Sequence, residues 1–111
     1  MDPLTLASPF PGVYALGYCA ETGILKAGVF AESAARTVAD EIAASIRGGG
    51  FRPYEGAGLC FVEMGDGEVG RVGVRFRAEA GPTAPLLGPG VEYAAEKAEF
   101  GEARRSRWFD L

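Results

Sequence analysis

From Phe30 to Arg47, apolar side chains recur at Ala31, Ala34, Ala35, Val38, Ile42 and Ile46, separated by Glu32, Ser33, Arg36, Thr37, Asp40, Glu41 and Ser45. That spacing is the helical period, and it sorts an apolar stripe from a polar one. It predicts an Ala-rich helix whose thin face permits close approach to a neighbour. Gly48-Gly49-Gly50 follows and supplies residues that tolerate positive φ, so the helix stops there. Further along the period changes to two: Val72, Val74 and Phe76 point one way and Arg71, Arg75 and Arg77 the other. This predicts a strand with one buried and one wet face. With the run Leu59 to Met64, across Gly65-Asp66-Gly67, it predicts an antiparallel β-hairpin.

Weaker signals complete the pattern. Val13-Tyr14-Ala15-Leu16, closed by Gly17, predicts a short strand after an irregular lead-in over 1–12, and Tyr18 to Lys26 reads as a loop. Residues 79–90 contain Pro82, Pro85 and Pro89 and read as a crossing loop. From about Val91 to Arg107, acids come early (Glu92, Glu96, Glu99, Glu102) and bases late (Arg104, Arg105, Arg107), which matches a helix dipole. Trp108 and Phe109 then form a bulky apolar pair that needs a surface to cover it. The expected fold class is α+β, as one small domain over 1–111: short strand, Ala-rich helix, hairpin and C-terminal helix.

Composition narrows the function classes. Hydrophobic residues are 48% and charged residues 23%, an ordinary globular balance, while 17 glycines and 7 prolines imply many turns. The formal net charge of −4 argues against nucleic acid, whose phosphates need a basic footprint. The absence of histidine removes the commonest general base and metal ligand, and two cysteines, Cys19 and Cys60, are too few for a structural zinc site. Met1-Asp2-Pro3 does not begin a secretory signal, and no run approaches the roughly 18 apolar residues of a membrane span. The expectation is a cytoplasmic chain with no transmembrane segment and no metal.

The glycines do not form a phosphate loop. Neither G-x-G-x-x-G nor G-x-x-x-x-G-K-[ST] occurs, and the Gly48 triplet lies at the wrong end of its helix for an anion. More informative is Leu25-Lys26-Ala27-Gly28-Val29-Phe30-Ala31-Glu32, which sets a cation and a permissive glycine just ahead of the helix. A helix N-terminus carries roughly +0.5 of an elementary charge and free N–H donors, so it can stabilise negative charge. An ordinary loop-to-helix junction fits the same residues. Cys60 stands in a strand, where a thiol serves as a small buried hydrophobe or, when exposed as thiolate, as a nucleophile. The Arg71, Arg75 and Arg77 stripe suits a solvated face or an acidic partner.

Three ordered segments carry a resemblance: Pro11-Gly12-Val13-Tyr14-Ala15-Leu16-Gly17, Lys26-Ala27-Gly28-Val29-Phe30-Ala31-Glu32, and Gly58-Leu59-Cys60-Phe61-Val62-Glu63-Met64-Gly65. With Lys97-Ala98-Glu99-Phe100 and Trp108, the chain resembles the closing third of FAD-dependent flavoproteins of the pyridine nucleotide-disulfide oxidoreductase superfamily. The sulfide:quinone oxidoreductases and flavocytochrome c sulfide dehydrogenases are the members it looks like most. The resemblance implies flavin contacts at Gly17, Tyr18, Lys26, Ala27, Gly28 and Val29, and a redox-active thiol at Cys60. Tyr18 stands where that family has a ribityl-contacting Asp, and Leu25 where it has Pro. The family's N-terminal Rossmann unit has no counterpart in these 111 residues. FAD is therefore expected only if other domains or a partner chain complete the site. The expected state is a homo-oligomer, most simply a dimer, or a complex with a flavoprotein chain. A non-catalytic oligomerisation or interaction module derived from that family is the alternative.

Overall fold

The predicted Ala-rich helix is present as α1, Gly28–Arg47. Its buried residues are Phe30, Ala34, Thr37 and Val38, spaced so that they share one side over the first three turns. Ile42 and Ile46, which the pattern assigned to the same face, are 40% and 79% exposed. Each four-residue step rotates a position by about 40°, so these two have turned away from the line of Phe30. Gly48 caps the helix with φ 77°, and its N–H donates to the Ala44 carbonyl at 2.8 Å. The Gly48 triplet thus acts as the expected stop.

The computed structural model describes residues 1–76 and 81–110, so Arg77 of the expected arginine stripe lies outside the described residues. The chain divides into two compact units, Met1–Gly58 with Val74–Thr83 and Leu59–Gly73 with Ala84–Leu111. In the first unit the core gathers Leu6, Ala20, Ile24, Phe30, Ala34, Val38, Tyr54 and Val74. The Phe30 ring meets Phe76 edge-on at 6.0 Å, and the Tyr54 hydroxyl donates to the Phe30 carbonyl at 3.2 Å. The buried phenol is therefore paired at its polar end and packed along its ring. Leu6, from the irregular lead-in, is fully buried at φ 63°. The short strand expected over Val13–Leu16 reduces to a single antiparallel bridge between Ala7 and Tyr14. The prolines and glycines on either side leave too little extended chain for a longer ladder.

The hairpin is present as β1 (Ala57–Gly65) and β2 (Glu68–Arg75), and a third strand, β3 (Leu86–Gly90), joins them in the antiparallel order β1-β2-β3. The turn residues Asp66 and Gly67 both have positive φ, 53° and 74°, the conformation that a two-residue reversal between twisted strands requires. Strand β3 corrects the expected crossing loop over 79–90. Pro89 reads as a breaker because it lacks an N–H, but β3 is an edge strand, where one side of the backbone needs no partner. Its register, Val69 to Gly90 then Arg71 to Leu87, contains a bulge, and the Gly88–Pro89 bond within it is cis.

The last helix, α2, spans Val91–Phe109, so Trp108 and Phe109 belong to its final turn instead of following it. Its half-buried stripe is Tyr93, Ala94, Glu96, Lys97, Phe100 and Arg104. Arg71 pairs with Glu96 at 2.6 Å, Lys97 with Glu63, and Phe61 meets Phe100 edge-on at 5.5 Å. Arg71 is therefore only half exposed, packed beside α2 through Glu96, whereas Arg75 is exposed and reaches Glu55 at 3.5 Å. Among the described side chains of the second unit only Val69 is buried. No helix among the described residues is long and apolar enough to cross a membrane.

Candidate functional site

The candidate site is the N-terminal end of α1, in the first unit. The segment before the helix must bring Gly17 and Tyr18 beside Lys26 and Ala27, and two local features do so. A short 3-10 turn, Gly17–Cys19, folds the chain back, and Gly17 enters it at φ 79°. A methyl group at Gly17 would sit 3.8 Å from the Ala31 side chain, so this loop lies close along the helix. The Lys26 ammonium then donates to the Tyr18 carbonyl and ties the two segments together. An ammonium has three donors, so two remain for another acceptor.

The helix end itself is open. Ala27 is the N-cap, in extended conformation, and no side chain caps the turn. The Phe30 and Ala31 N–H groups both donate to the Ala27 carbonyl at 3.1 Å, which leaves the Gly28 and Val29 N–H groups among the donors that helix geometry does not use. A Cβ added at Gly28 would meet nothing within 4 Å, so the backbone there faces open space. Val29 serves packing as well: a Cβ at Gly58 would lie 2.9 Å from Val29 Cγ2 and from Phe30 Cε1. Tyr18 and Leu25 are each 61% exposed and stand outward around this mouth.

The cleft lined by Gly17, Tyr18, Lys26, Ala27, Phe30 and Ala31 encloses only about 10 Å³. A single water needs that much, so the cleft has no room for a flavin ring. What the arrangement offers is a surface: a cation, two backbone donors and the positive end of a helix dipole, rimmed by a phenol and a leucine. Such a surface can meet negative charge presented by another body.

Of the residues singled out in the sequence, Gly17, Tyr18, Lys26, Ala27, Gly28 and Val29 come together at this end. Cys60 lies in β1 and belongs to the second unit. It is half-buried and free; Cys19 is also free but exposed, and its thiol donates to the Leu16 carbonyl at 3.3 Å. Among the described residues no group of three or more His, Cys, Asp or Glu can hold a metal ion.

Two features were missed from sequence. An open concavity of about 530 Å³ lies at the far end of α1, between Asp40, Arg47, Gly48, Phe51 and Arg52. The signal was present as two arginines flanking the glycine triplet. The second is Tyr14, whose hydroxyl donates to the Glu41 carboxylate and so fastens the lead-in to α1. That bond, then burial, then the carboxylate's charge hold the phenol's pKa above its ordinary value. Compared with protein-family models, with curated proteins and with solved structures, the chain matches none.

Proposed function

We propose that this chain is the C-terminal part, or a subunit, of an FAD-dependent oxidoreductase of the sulfide dehydrogenase or sulfide:quinone reductase type, and is not catalytic by itself. The observation that supports this reading is the meeting of Gly17–Tyr18 with Lys26–Ala27 at an uncapped, outward-facing helix end. Lys26 and the Gly28 and Val29 N–H groups form a positive patch suited to the charge a reduced flavin carries on its ring. FAD is held only when other domains or a partner chain supply a dinucleotide-binding unit, because the cleft in this chain has no volume for it. Cys60 carries the thiol directed at sulfide in this reading, and a reducing cytoplasm keeps it and Cys19 free.

The test is to isolate the tagged chain from its native cells and record the absorbance of whatever comes with it. A flavin spectrum in the complex, diminished by Lys26→Ala, supports the reading. A stable complex with no flavin, unchanged by Lys26→Ala, overturns it. A second reading, a non-catalytic oligomerisation or interaction module, is favoured by Tyr18 in place of an Asp. The apolar side chains left exposed in the second unit, Val62, Met64, Leu86, Leu87, Trp108 and Phe109, favour it too.

A further inference from the structure

The two edges of the sheet are not alike. Strand β3 is five residues long, bulged, and contains Pro89, so it offers a poor template for another strand. Strand β1 is nine residues long and lies at the opposite edge, with nothing among the described residues paired beyond it. It contains no proline and no lysine. Its one charge, Glu63, is taken up by Lys97 of α2. Proteins that keep such an edge free of partners commonly blunt it with lysine or proline, and β1 contains neither.

We propose that β1 pairs antiparallel with β1 of a second copy of this chain, across a twofold axis near Phe61, to make a six-stranded sheet. This goes beyond the flavoprotein reading and needs no cofactor. The strand is self-complementary in that register. Phe61 opposes Phe61 of the second copy, Cys60 opposes Val62, and Leu59 opposes Glu63. The two Glu63 carboxylates then stand four positions apart, about 14 Å at the strand rise, beyond the screening length of about 8 Å at physiological salt. No like charges meet across the seam. Val62, 43% exposed, gains Cys60 of the second copy as its cross-strand neighbour. A second copy is preferred over an unrelated strand because this register matches without placing a charge against a charge.

The experiment takes the whole chain and measures its mass in solution over a range of concentrations, beside Val62→Lys and, as a control on a different exposed surface, Ile46→Lys. Val62 and Ile46 are both exposed, so circular dichroism of both variants is expected to match the parent. The parent is expected to have the mass of two 11.6-kDa chains. Val62→Lys, altered twice in the symmetric seam, is expected to raise the dimer dissociation constant about tenfold or more, with Ile46→Lys unchanged. In a Cys19→Ser, Cys60→Ser background, Phe61→Cys is expected to form a disulfide-linked dimer on mild oxidation, whereas Ile46→Cys is not. A monomer at every concentration overturns the proposal. A dimer that is indifferent to Val62→Lys, or one that Phe61→Cys does not trap, overturns it equally.

Discussion

The two units of this chain are held by different physics. In the first, Leu6, Ile24, Phe30, Val38 and Tyr54 are removed from water around one face of α1. In the second, among the described residues, α2 buries no side chain and Val69 is the single buried one in the strand segments that belong to this unit. Contacts that join α2 to the sheet include Arg71 with Glu96, Lys97 with Glu63, and the aromatic edge of Phe61 and Phe100, all at least partly exposed. Burying a large apolar side chain contributes about 1.5–3 kcal/mol, whereas an exposed ion pair contributes about 0–1. A body of this size with almost no core is at the limit of independent stability. Two units that each contain one long helix thus differ in how much core supports that helix.

Mutations sharpen that contrast. Phe30→Ala has the largest expected effect, about 3–5 kcal/mol in denaturant unfolding, since it removes a buried ring and the edge contact with Phe76. Gly58→Val comes next, at about 1–3 kcal/mol, because its Cβ would lie 2.9 Å from Val29 Cγ2 and Phe30 Cε1 and force them to shift. The corresponding aromatic in the second unit should matter less. Phe61→Ala in the isolated monomer is expected to cost about 1 kcal/mol, the scale of a partly exposed edge pair. If Phe61→Ala proved as costly as Phe30→Ala, the contrast would be wrong. Arg71→Ala should cost under about 1 kcal/mol, since both partners are partly wet.

The smallest effect is a pH dependence. Tyr14 donates to Glu41 as a neutral phenol, so its folded pKa is raised above the ordinary 10.0. The stability it contributes is present in full below the ordinary tyrosine value and is lost as pH rises through the raised one. Ultraviolet titration of the parent should contain a late phenolate step that Tyr14→Phe removes.

Regular elements were legible in the sequence where a period ran long enough. The helix over Phe30–Arg47, the hairpin at Asp66-Gly67 and the helix from Val91 all stand. What the pattern did not contain was tertiary. Leu6 sits among prolines with no periodic neighbours, yet the core closes on it. Leu86–Gly90 became a strand because an edge tolerates Pro89. Arg71 looked like a solvated residue because alternation gives a face but not what covers it. At the candidate site, Lys26 and Gly28 were visible as a junction before a helix. The return of Lys26 onto the Tyr18 carbonyl depends on the Gly17 turn, and no local pattern encodes it.

Hydrogen exchange measured residue by residue at two protein concentrations tests the central contrast most directly. The first unit is expected to protect the amides of α1 equally at both, because its core lies within one chain. Protection of the β1 amides between Leu59 and Met64 that face away from β2 is expected to rise with concentration, as the free edge acquires a second copy. Edge-facing amides of β1 that exchange at one rate whatever the concentration, or that are already as protected as those of α1 in dilute protein, would rule out pairing through this edge.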